Sequence, residues 1–294
     1  MPDSTPVWLQ PLHSDSWQRW VEAKLAAYPR SMAQLVVDIA TPQAISPEEH
    51  QQLAMRISSC NMAIYCLPTP EIATKESLRA IAAHFGLLGL DSNYLADEDG
   101  ISAIEVAAGE LKPNYIPYTN RAIHWHCDGY YNRPGEQIQA MVLQCVRSAA
   151  AGGESGLLDH ELVWLLLRQQ SPEAALTLME PDILTIPAGK DGAGAERGAS
   201  VGPLFSITAE GRLHMRYSAR KRHIEWRQDR AAVAARALLE QTLAECDYVL
   251  TGRLEPGMGL ICNNVLHRRA AFEEPRQGAG RLLYRARYHR PLRL

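Results

Sequence analysis

Apolar residues recur at helical spacing in five segments of the chain. Three of them, 16–27, 47–57 and 76–85, lie in the first third and are rich in residues that favour helices. Two more, 159–169 and 231–245, lie further along the chain. The pattern therefore predicts helices in these five segments.

Short runs of β-branched, aromatic and other apolar residues predict strands between and after the first helices. Two runs, 35–39 and 62–67, fall in the first ninety residues, which we interpret as an α+β flanking part. From residue 101 the chain is mainly β, and the two later helices interrupt it. The predicted strands of this part are 102–107, 122–127, 138–147, 202–207, 212–218, 259–263 and 281–288.

A glycine-rich stretch at 188–203 is longer than most connections between elements. It is a candidate lid over a site, and a disordered insertion is the alternative. We find no internal repeat and no proline-rich linker. The expectation is therefore one domain over residues 1–294, with a helical and β flanking part at 1–90 and a β core at 101–294.

Composition excludes several classes of protein. The chain has 294 residues, a net charge of −3 and 46% hydrophobic residues, which is enough for a sizeable core. No apolar stretch approaches the roughly 20 residues of a membrane span. The first residues lack the pattern of a secretory signal, and the six cysteines show no C-x-x-C pair, so we expect reduced thiols and a cytoplasmic location. The pI of 6.4 argues against nucleic-acid binding, and the motifs typical of hydrolases and P-loop proteins are absent from the sequence.

One stretch carries half of a metal site. His126 and Asp128 are two residues apart, so on a strand their side chains project from the same face, while Cys127 points the other way and packs. Two imidazoles and one carboxylate can hold Fe(II) and leave positions open for substrate and O₂. His267, at the end of a strand-like run, is the candidate second imidazole. His124 has the same parity as His126, so this pair is a rival choice.

Three arginines share one face of the last predicted strand. Arg281, Arg285 and Arg287 occupy its odd positions, and guanidinium groups bind carboxylates as a bidentate fork. Next to a metal, such a face suits a dicarboxylate that chelates the metal at its other end. An exposed cationic edge strand is the alternative.

Four elements in this order resemble the taurine dioxygenase (TauD/TfdA) family of Fe(II)- and 2-oxoglutarate-dependent oxygenases. The resemblance covers roughly residues 65–288. The elements are the His126-x-Asp128 pair, the run Gly152-Gly153-Glu154-Ser155, the distal Asn263-x-x-Leu266-His267, and Arg281 fourteen residues beyond that histidine with Arg285 four further on.

The resemblance implies a mainly β fold with flanking helices, a double-stranded β-helix or jelly roll. It implies that His126, Asp128 and His267 bind iron and are the catalytic centre. It also implies that Arg281 and Ser155 bind the distal carboxylate of 2-oxoglutarate. The expected reaction consumes O₂, hydroxylates an aliphatic C–H bond and releases succinate and CO₂.

Two positions argue against particular substrates or reactions known in this family and its relatives. The taurine enzyme has an asparagine four residues before the first ligand, and Ala122 stands there in this chain, which argues against taurine. Related halogenases replace the carboxylate ligand with a small residue, whereas Asp128 is present, so halogenation is disfavoured.

The expected substrate is a small anionic molecule such as a carboxylate, a sulfonate or an amino acid. Arg285 matches the position that binds the substrate's anion in the taurine enzyme, and a role as partner of a nearby carboxylate is the alternative. Residues 216–222 could equally form a solvated basic turn. The alternative function is a jelly-roll protein that binds metal and a small acid without oxidising it. The sequence does not fix the oligomeric state, and a homo-oligomer is left open. The further substrate candidates are Arg216, Tyr217, Tyr130, Tyr131 and Asn132, with Tyr115 and Tyr118 at the entrance.

Overall fold

Helices precede and interrupt a set of short strands along the chain. The computed structural model describes residues 5–91, 97, 99–106, 115–133, 135–190, 196–220 and 223–294. The α-helices are α1 (Asp15–Ala27), α2 (Pro47–Cys60), α3 (Lys75–His84), α4 (His160–Gln170), α5 (Pro172–Thr177) and α6 (Arg230–Glu245). Short 3₁₀ turns span Val7–Leu9, Met32–Leu35, Pro70–Ile72 and Ile116–Tyr118.

Polar side chains cap the N-termini of these helices by accepting hydrogen bonds from the free N–H groups of the first turn. The clearest case is α2, where Ser46 and Glu49 form a reciprocal capping box and Pro47 occupies the first helical position. At α4 and α6 the cap is a single aspartate. Asp159 accepts from the N–H of Glu161, and Asp229 accepts from the N–H groups of Ala231 and Ala232.

The strands are short and most of them belong to two sheets. In chain order they are β1 (Val36–Asp38), β2 (Met62–Cys66), β3 (Ser102–Ile104), β4 (Ile123–His126), β5 (Ala140–Arg147), β6 (Ala151–Gly152), β7 (Ser155–Leu158), β8 (Leu184–Ile186), β9 (Gly189–Lys190), β10 (Glu196–Arg197), β11 (Ser200–Gly202), β12 (Phe205–Ile207), β13 (Leu213–Met215), β14 (Glu225–Trp226), β15 (Leu250–Gly252), β16 (Met258–Cys262), β17 (Leu266–Arg269), β18 (Phe272–Glu273) and β19 (Leu282–Tyr288). The larger sheet has the order β1-β2-β16-β5-β19-β3, and a four-stranded sheet has the order β15-β7-β17-β4.

Alternate residues of the larger sheet face two different cores. Met62 and Ile64 of β2 join a cluster with residues of the four-stranded sheet and of α1, α4 and α6. Ala63 and Tyr65 join a second cluster with α2 and α3 on the other side of the sheet. Because both faces are covered, β2 is apolar at every position rather than alternating.

The chain changes sheet immediately before one of the predicted metal ligands. It leaves the larger sheet at Cys262, the end of β16, and enters the four-stranded sheet at Leu266, the start of β17. The turn between them uses Asn264 with φ of 48°, a left-handed conformation that asparagine tolerates better than most residues. In β17, His267 lies opposite His126 of β4.

Several predictions from sequence need correction. The predicted strand 202–207 is two strands, β11 and β12, in different sheets, because Pro203 between them cannot donate to a ladder. Helix α5 and the strands β6 to β10, β14, β15, β17 and β18 were not predicted. His267 is the second residue of β17 and not the end of a strand-like run. Strand β7 escapes notice because it contains Gly156, where the side chain of Arg268 on β17 fills the space that a Cβ would take.

The described part of the glycine-rich stretch is β structure. Strands β9 and β10 form a two-stranded antiparallel hairpin, and β11 pairs with β8. Residues 191–195 lie outside the described part. No helix in the described residues is both long enough and apolar enough to cross a membrane.

Candidate metal centre

Strands β4 and β17 bring together two histidines and an aspartate. One ligand atom from each of His126, Asp128 and His267 lies within 4.8 Å of the others. Within the described residues this is the single cluster of its kind. His124 is exposed and lies outside it, so the rival pair of His124 with His126 does not form.

Asp128 reaches the cluster from a turn rather than from a strand. Strand β4 ends at His126, and Asp128 lies two residues beyond its end. The prediction that both side chains project from one strand face was therefore wrong in its geometry, although the two groups do meet.

Hydrogen bonds fix which nitrogen of each imidazole faces the cluster. The Nδ1 atoms of His126 and His267 lie 3.0 Å from the carbonyl oxygens of His124 and Val265. Because a carbonyl oxygen only accepts, each Nδ1 carries the proton and each Nε2 keeps its lone pair. Burial and then the neighbouring His267 lower the pKa of His126 to about 3, and burial also lowers the pKa of His267. Both rings are thus neutral, which is the state that binds a metal.

The carboxylate of Asp128 is buried and only half satisfied. Its Oδ1 accepts a hydrogen bond of 3.2 Å from Arg285, while its Oδ2 is buried and has no hydrogen-bond partner. Burial opposes ionisation, but Arg285 and then Arg287 outweigh it and hold the pKa of Asp128 well below its usual range. An ionised, unpartnered oxygen beside two imidazole lone pairs is the donor set that a divalent metal would satisfy.

Asn264 holds the backbone of Asp128 in place. Its Oδ1 accepts from the Asp128 N–H at 2.8 Å, and its Nδ2 donates to the carbonyl oxygens of Asp128 at 2.9 Å and Ile138 at 2.7 Å. Sequence reasoning did not assign a role to this residue. The available signal was its place in the distal motif, three residues before His267.

Arg281 and Ser155, the two residues predicted to bind 2-oxoglutarate, line the same small cavity. Gly152, Gly153 and Arg253 also line it. Arg281 is 7% exposed. Among the described residues its guanidinium forms no salt bridge, although the charge of Glu274 acts on it. Burial lowers the pKa of Arg281. A buried cation of this kind in a cavity is suited to bind a carboxylate.

The ring of Phe272 lies between two guanidinium groups beside this cavity. Its centroid is 5.0 Å from Arg281 and 4.7 Å from Arg269. Arg269 in turn donates to the carbonyl oxygens of Pro117, Thr119 and Arg121, the segment that leads into β4. The ring thus makes a cation–π contact with each guanidinium and helps to position Arg281.

The substrate candidates divide into two groups, and the first group lies in the turn that follows Asp128. Tyr130 and Tyr131 follow Asp128 and meet edge to face at 5.4 Å, with Tyr130 Oη 2.8 Å from His223 Nδ1 and Tyr131 Oη accepting from Arg287 at 2.8 Å. Asn132 donates to Glu136 within the same turn.

The second group of substrate candidates, Tyr217 and Arg216, makes contacts that hold the fold together. Tyr217 lies in the hydrophobic core, and its carbonyl accepts from Cys127, so its predicted role in substrate binding is not supported. Arg216 is 4% exposed and donates to the carbonyl oxygens of Tyr130 and Ser200, so it ties this loop to β11 and is not part of a solvated turn. Its Nη1 is buried without a partner.

The remaining predicted residues also have defined places. Arg285 is paired with Asp128 and Arg287 with Asp91, so the last strand is not an exposed cationic edge. Tyr118 is buried and Tyr115 packs against the main core. A larger cavity of about 280 Å³ lies between the ends of α1 and α2 and has no metal-site residue in its wall.

Comparison with known proteins gives the family. Residues 28–287 match the model of the taurine catabolism dioxygenase TauD, TfdA family. The chain belongs to this family.

Two relatives and one solved structure extend the comparison. A uridine-5'-phosphate dioxygenase from Streptomyces sp is 32% identical over 171 residues, 55% of this chain and 59% of the relative. Another from Amycolatopsis sp is 33% identical over 174 residues, 56% of this chain and 60% of the relative. These matches therefore span less than two thirds of either relative.

The non-heme iron oxygenase OrfP, solved with Fe and alpha-ketoglutaric acid, superposes with a TM-score of 0.59. The superposition is 17% identical and covers 91% of this chain and 89% of OrfP. At this identity the likeness shows the fold. The predicted double-stranded β-helix with flanking helices is confirmed.

Proposed function

We propose that this TauD/TfdA-family chain is an Fe(II)- and 2-oxoglutarate-dependent dioxygenase. The observation that carries the proposal is the cluster of His126, Asp128 and His267, with ligand atoms within 4.8 Å and a buried, unpartnered Asp128 oxygen. When bound, iron and 2-oxoglutarate supply the chemistry that uses O₂ to hydroxylate a C–H bond, with release of succinate and CO₂. Two imidazoles and one carboxylate would hold the iron, and a ligand set of this kind would leave positions for cosubstrate and O₂.

Residues around the triad keep it ready to bind metal. The hydrogen bonds from both Nδ1 atoms orient the imidazoles, and such contacts raise metal affinity in other proteins by roughly tenfold to a hundredfold. Arg285 keeps Asp128 ionised and occupies Oδ1, which leaves Oδ2 for the metal. This pairing supports the partner role of Arg285 over the role of substrate anchor.

We propose that Arg281 and Ser155 bind the distal carboxylate of 2-oxoglutarate. The support is that both line one cavity and that Arg281 forms no salt bridge among the described residues, although the charge of Glu274 acts on it. A Cβ at Gly152 would lie 2.4 Å from the carbonyl oxygen of Ala271, so the wall of this cavity requires glycine at that position.

We propose a small anionic molecule as the substrate, bound beside Tyr130 and Tyr131. The two curated relatives are named for uridine 5'-phosphate, which belongs to this class. A single domain and a reducing cytoplasmic location remain part of the proposal, and the six free cysteines support the latter.

The test is succinate formation in air with Fe(II) and 2-oxoglutarate. We expect slow turnover in the wild type even without the true substrate, and loss of that turnover in His126→Ala. The matched control is His124→Ala, which removes an exposed imidazole two residues away on the same strand. Iron binding without any succinate would instead support a protein that binds metal and acid without oxidation. Equal loss in both variants would contradict the ligand assignment.

A further inference from the structure

The start of β4 is only loosely paired with its neighbour β17. The two strands pair at His126 with His267 and at Ile123 with Arg269. Between these pairs β17 has one residue and β4 has two, so β4 carries a β-bulge beside the metal centre. Residues 119–122, which lead into β4, belong to neither a helix nor a strand. Their position therefore depends on contacts other than a regular ladder.

Arg269 of β17 provides these contacts with its side chain. Its guanidinium donates to three backbone carbonyl oxygens, those of Pro117 at 3.3 Å, Thr119 at 2.7 Å and Arg121 at 2.6 Å. A guanidinium has five N–H donors in a fixed planar arrangement, so it can bind several acceptors of one loop at once. The N–H of Phe272 adds a fourth contact, with the carbonyl oxygen of Asn120 at 3.0 Å. Four of the five carbonyls at 117–121 are thus held from β17 and β18.

The burial of Arg269 strengthens this anchor. Arg269 is 7% exposed, and among the described residues it forms no salt bridge. The three carbonyl oxygens and the ring of Phe272, whose centroid is 4.7 Å from the guanidinium, are what stabilise its charge. Because a buried cation is costly to leave unsatisfied, movement of residues 117–121 away from Arg269 is unfavourable.

The anchored segment continues directly into a metal ligand. The end of β4 is held on its other side, where Cys127 N–H donates to the carbonyl of Tyr217 at 3.0 Å and Ala219 N–H donates to that of Trp125 at 2.8 Å. Arg269 holds the chain before the start of the same strand. With both ends fixed, the backbone of β4 cannot shift across its bulge, and the imidazole of His126 stays opposite His267.

We propose that Arg269 is a positioning residue, which anchors the chain at 117–121 and thereby holds the imidazole of His126 in place for the metal. The inference rests on the proposed function, because it adds a residue to the same metal site. The anchor itself consists of contacts that need no metal, so it can also be measured in metal-free protein.

A second arginine of this protein provides a matched control. Arg168 on α4 is 4% exposed and donates to the carbonyl oxygens of Trp8 at 3.3 Å and Gln10 at 2.9 Å. Its guanidinium lies 5.2 Å from the ring centroid of Trp17 and 5.8 Å from that of Trp164. Like Arg269, it is a buried cation that forms no salt bridge among the described residues. The segment that it holds contributes no ligand to the metal cluster.

The experiment compares Arg269→Gln with Arg168→Gln. Anaerobic calorimetric titration with Fe(II) measures metal affinity, and amide hydrogen exchange of the metal-free proteins measures local opening. Both variants should unfold at a lower urea concentration than the wild type, because each loses buried hydrogen bonds. Only Arg269→Gln should weaken Fe(II) binding, by about tenfold, and accelerate exchange at residues 118–127.

The lysine variant tests whether the shape of the guanidinium matters. Arg269→Lys keeps the charge but replaces the planar fork by a single ammonium group, which cannot bind three separated carbonyls in the same way. It should fall between the wild type and Arg269→Gln in Fe(II) affinity and in exchange. If Arg269→Gln does not fold, Arg269→Lys takes its place in the comparison.

The proposal is overturned if Arg269→Gln binds Fe(II) as tightly as the wild type. Equal weakening of Fe(II) binding in both glutamine variants would also overturn it, since Arg269 would then act only through general stability. Wild-type protein that binds Fe(II) without forming succinate would count against the proposed function alone. If the wild type binds no Fe(II), the proposed function fails, and unchanged exchange at 118–127 in Arg269→Gln would refute the anchor separately.

Discussion

Replacing Asn264 with alanine should remove the hydrogen bonds that join the turn before β17 to the backbone of Asp128. The wild-type amide makes three buried hydrogen bonds, two to the backbone of Asp128 and one to the carbonyl of Ile138. Buried groups left without partners cost about 1–3 kcal/mol each, though not additively, and a left-handed φ of 48° costs alanine about 1 kcal/mol. We therefore expect the free energy of unfolding to fall by about 3–5 kcal/mol.

The effect on metal binding separates a positioning role from a purely structural one. Urea titration measures stability, and anaerobic titration of the folded protein with Fe(II) measures affinity. We expect Asn264→Ala to weaken Fe(II) binding by roughly tenfold or more, because the backbone of Asp128 is no longer held. Asn264→Gly removes the same hydrogen bonds without the backbone strain and should weaken Fe(II) binding equally.

The neighbouring amide provides the matched control. Asn263 donates to the side chain of Asn61 and accepts from the backbone of Leu292, both at 3.0 Å, and does not touch Asp128. Asn263→Ala should lower stability and leave Fe(II) affinity unchanged. The reasoning would be refuted if both alanine variants weakened Fe(II) binding alike, or if Asn264→Ala bound Fe(II) as tightly as the wild type.

Three further changes test other parts of the structure. Phe272→Leu removes the ring that positions Arg281 and should raise the calorimetric dissociation constant of 2-oxoglutarate about fivefold to thirtyfold, equivalent to about 1–2 kcal/mol. Asp159→Asn leaves the buried Lys24 with one carboxylate partner and should lower the free energy of unfolding in urea by about 3 kcal/mol at pH 7. Lys24 lowers the pKa of Asp159 in the folded protein. The difference in unfolding free energy should therefore be fully present above the pKa of this aspartate in the unfolded chain, and it should disappear as the pH falls through its lower pKa in the folded state. Gly259→Ala would place a Cβ 2.1 Å from the ring of Tyr65 on the neighbouring strand. This overlap should lower the free energy of unfolding by about 1–3 kcal/mol, which a lower thermal midpoint would report.

Elements with a strong local pattern could be predicted from the sequence. Helix α2 was predicted because residues that favour helices and apolar residues at helical spacing recur over 47–57. The double-stranded β-helix was predicted from the order of four motifs and not from strand patterns. Those patterns missed β7 and treated β11 and β12 as one strand at 202–207. Strands of two to four residues carry too few positions for alternation to be visible.

The contacts within the site could be predicted only in part. The sequence predicted that His126, Asp128 and His267 meet. The place of Asn264 in the distal motif did not show that its amide would hold the backbone of Asp128. Nor could it show that Phe272 lies between two arginines. These relations depend on how the chain passes from one sheet to the other, and separations of more than a hundred residues leave no local periodicity.

The arginines near the site fall into two classes, and this division is the physical argument for the proposed cosubstrate site. Arg285 and Arg287 form salt bridges with carboxylates of the protein itself, so they order the triad and its surroundings. Arg281 forms no salt bridge among the described residues and lines the cavity that Ser155 also lines. A buried cation without a salt bridge is costly unless an anion joins it. We therefore expect the guanidinium of Arg281 to bind the distal carboxylate of the cosubstrate.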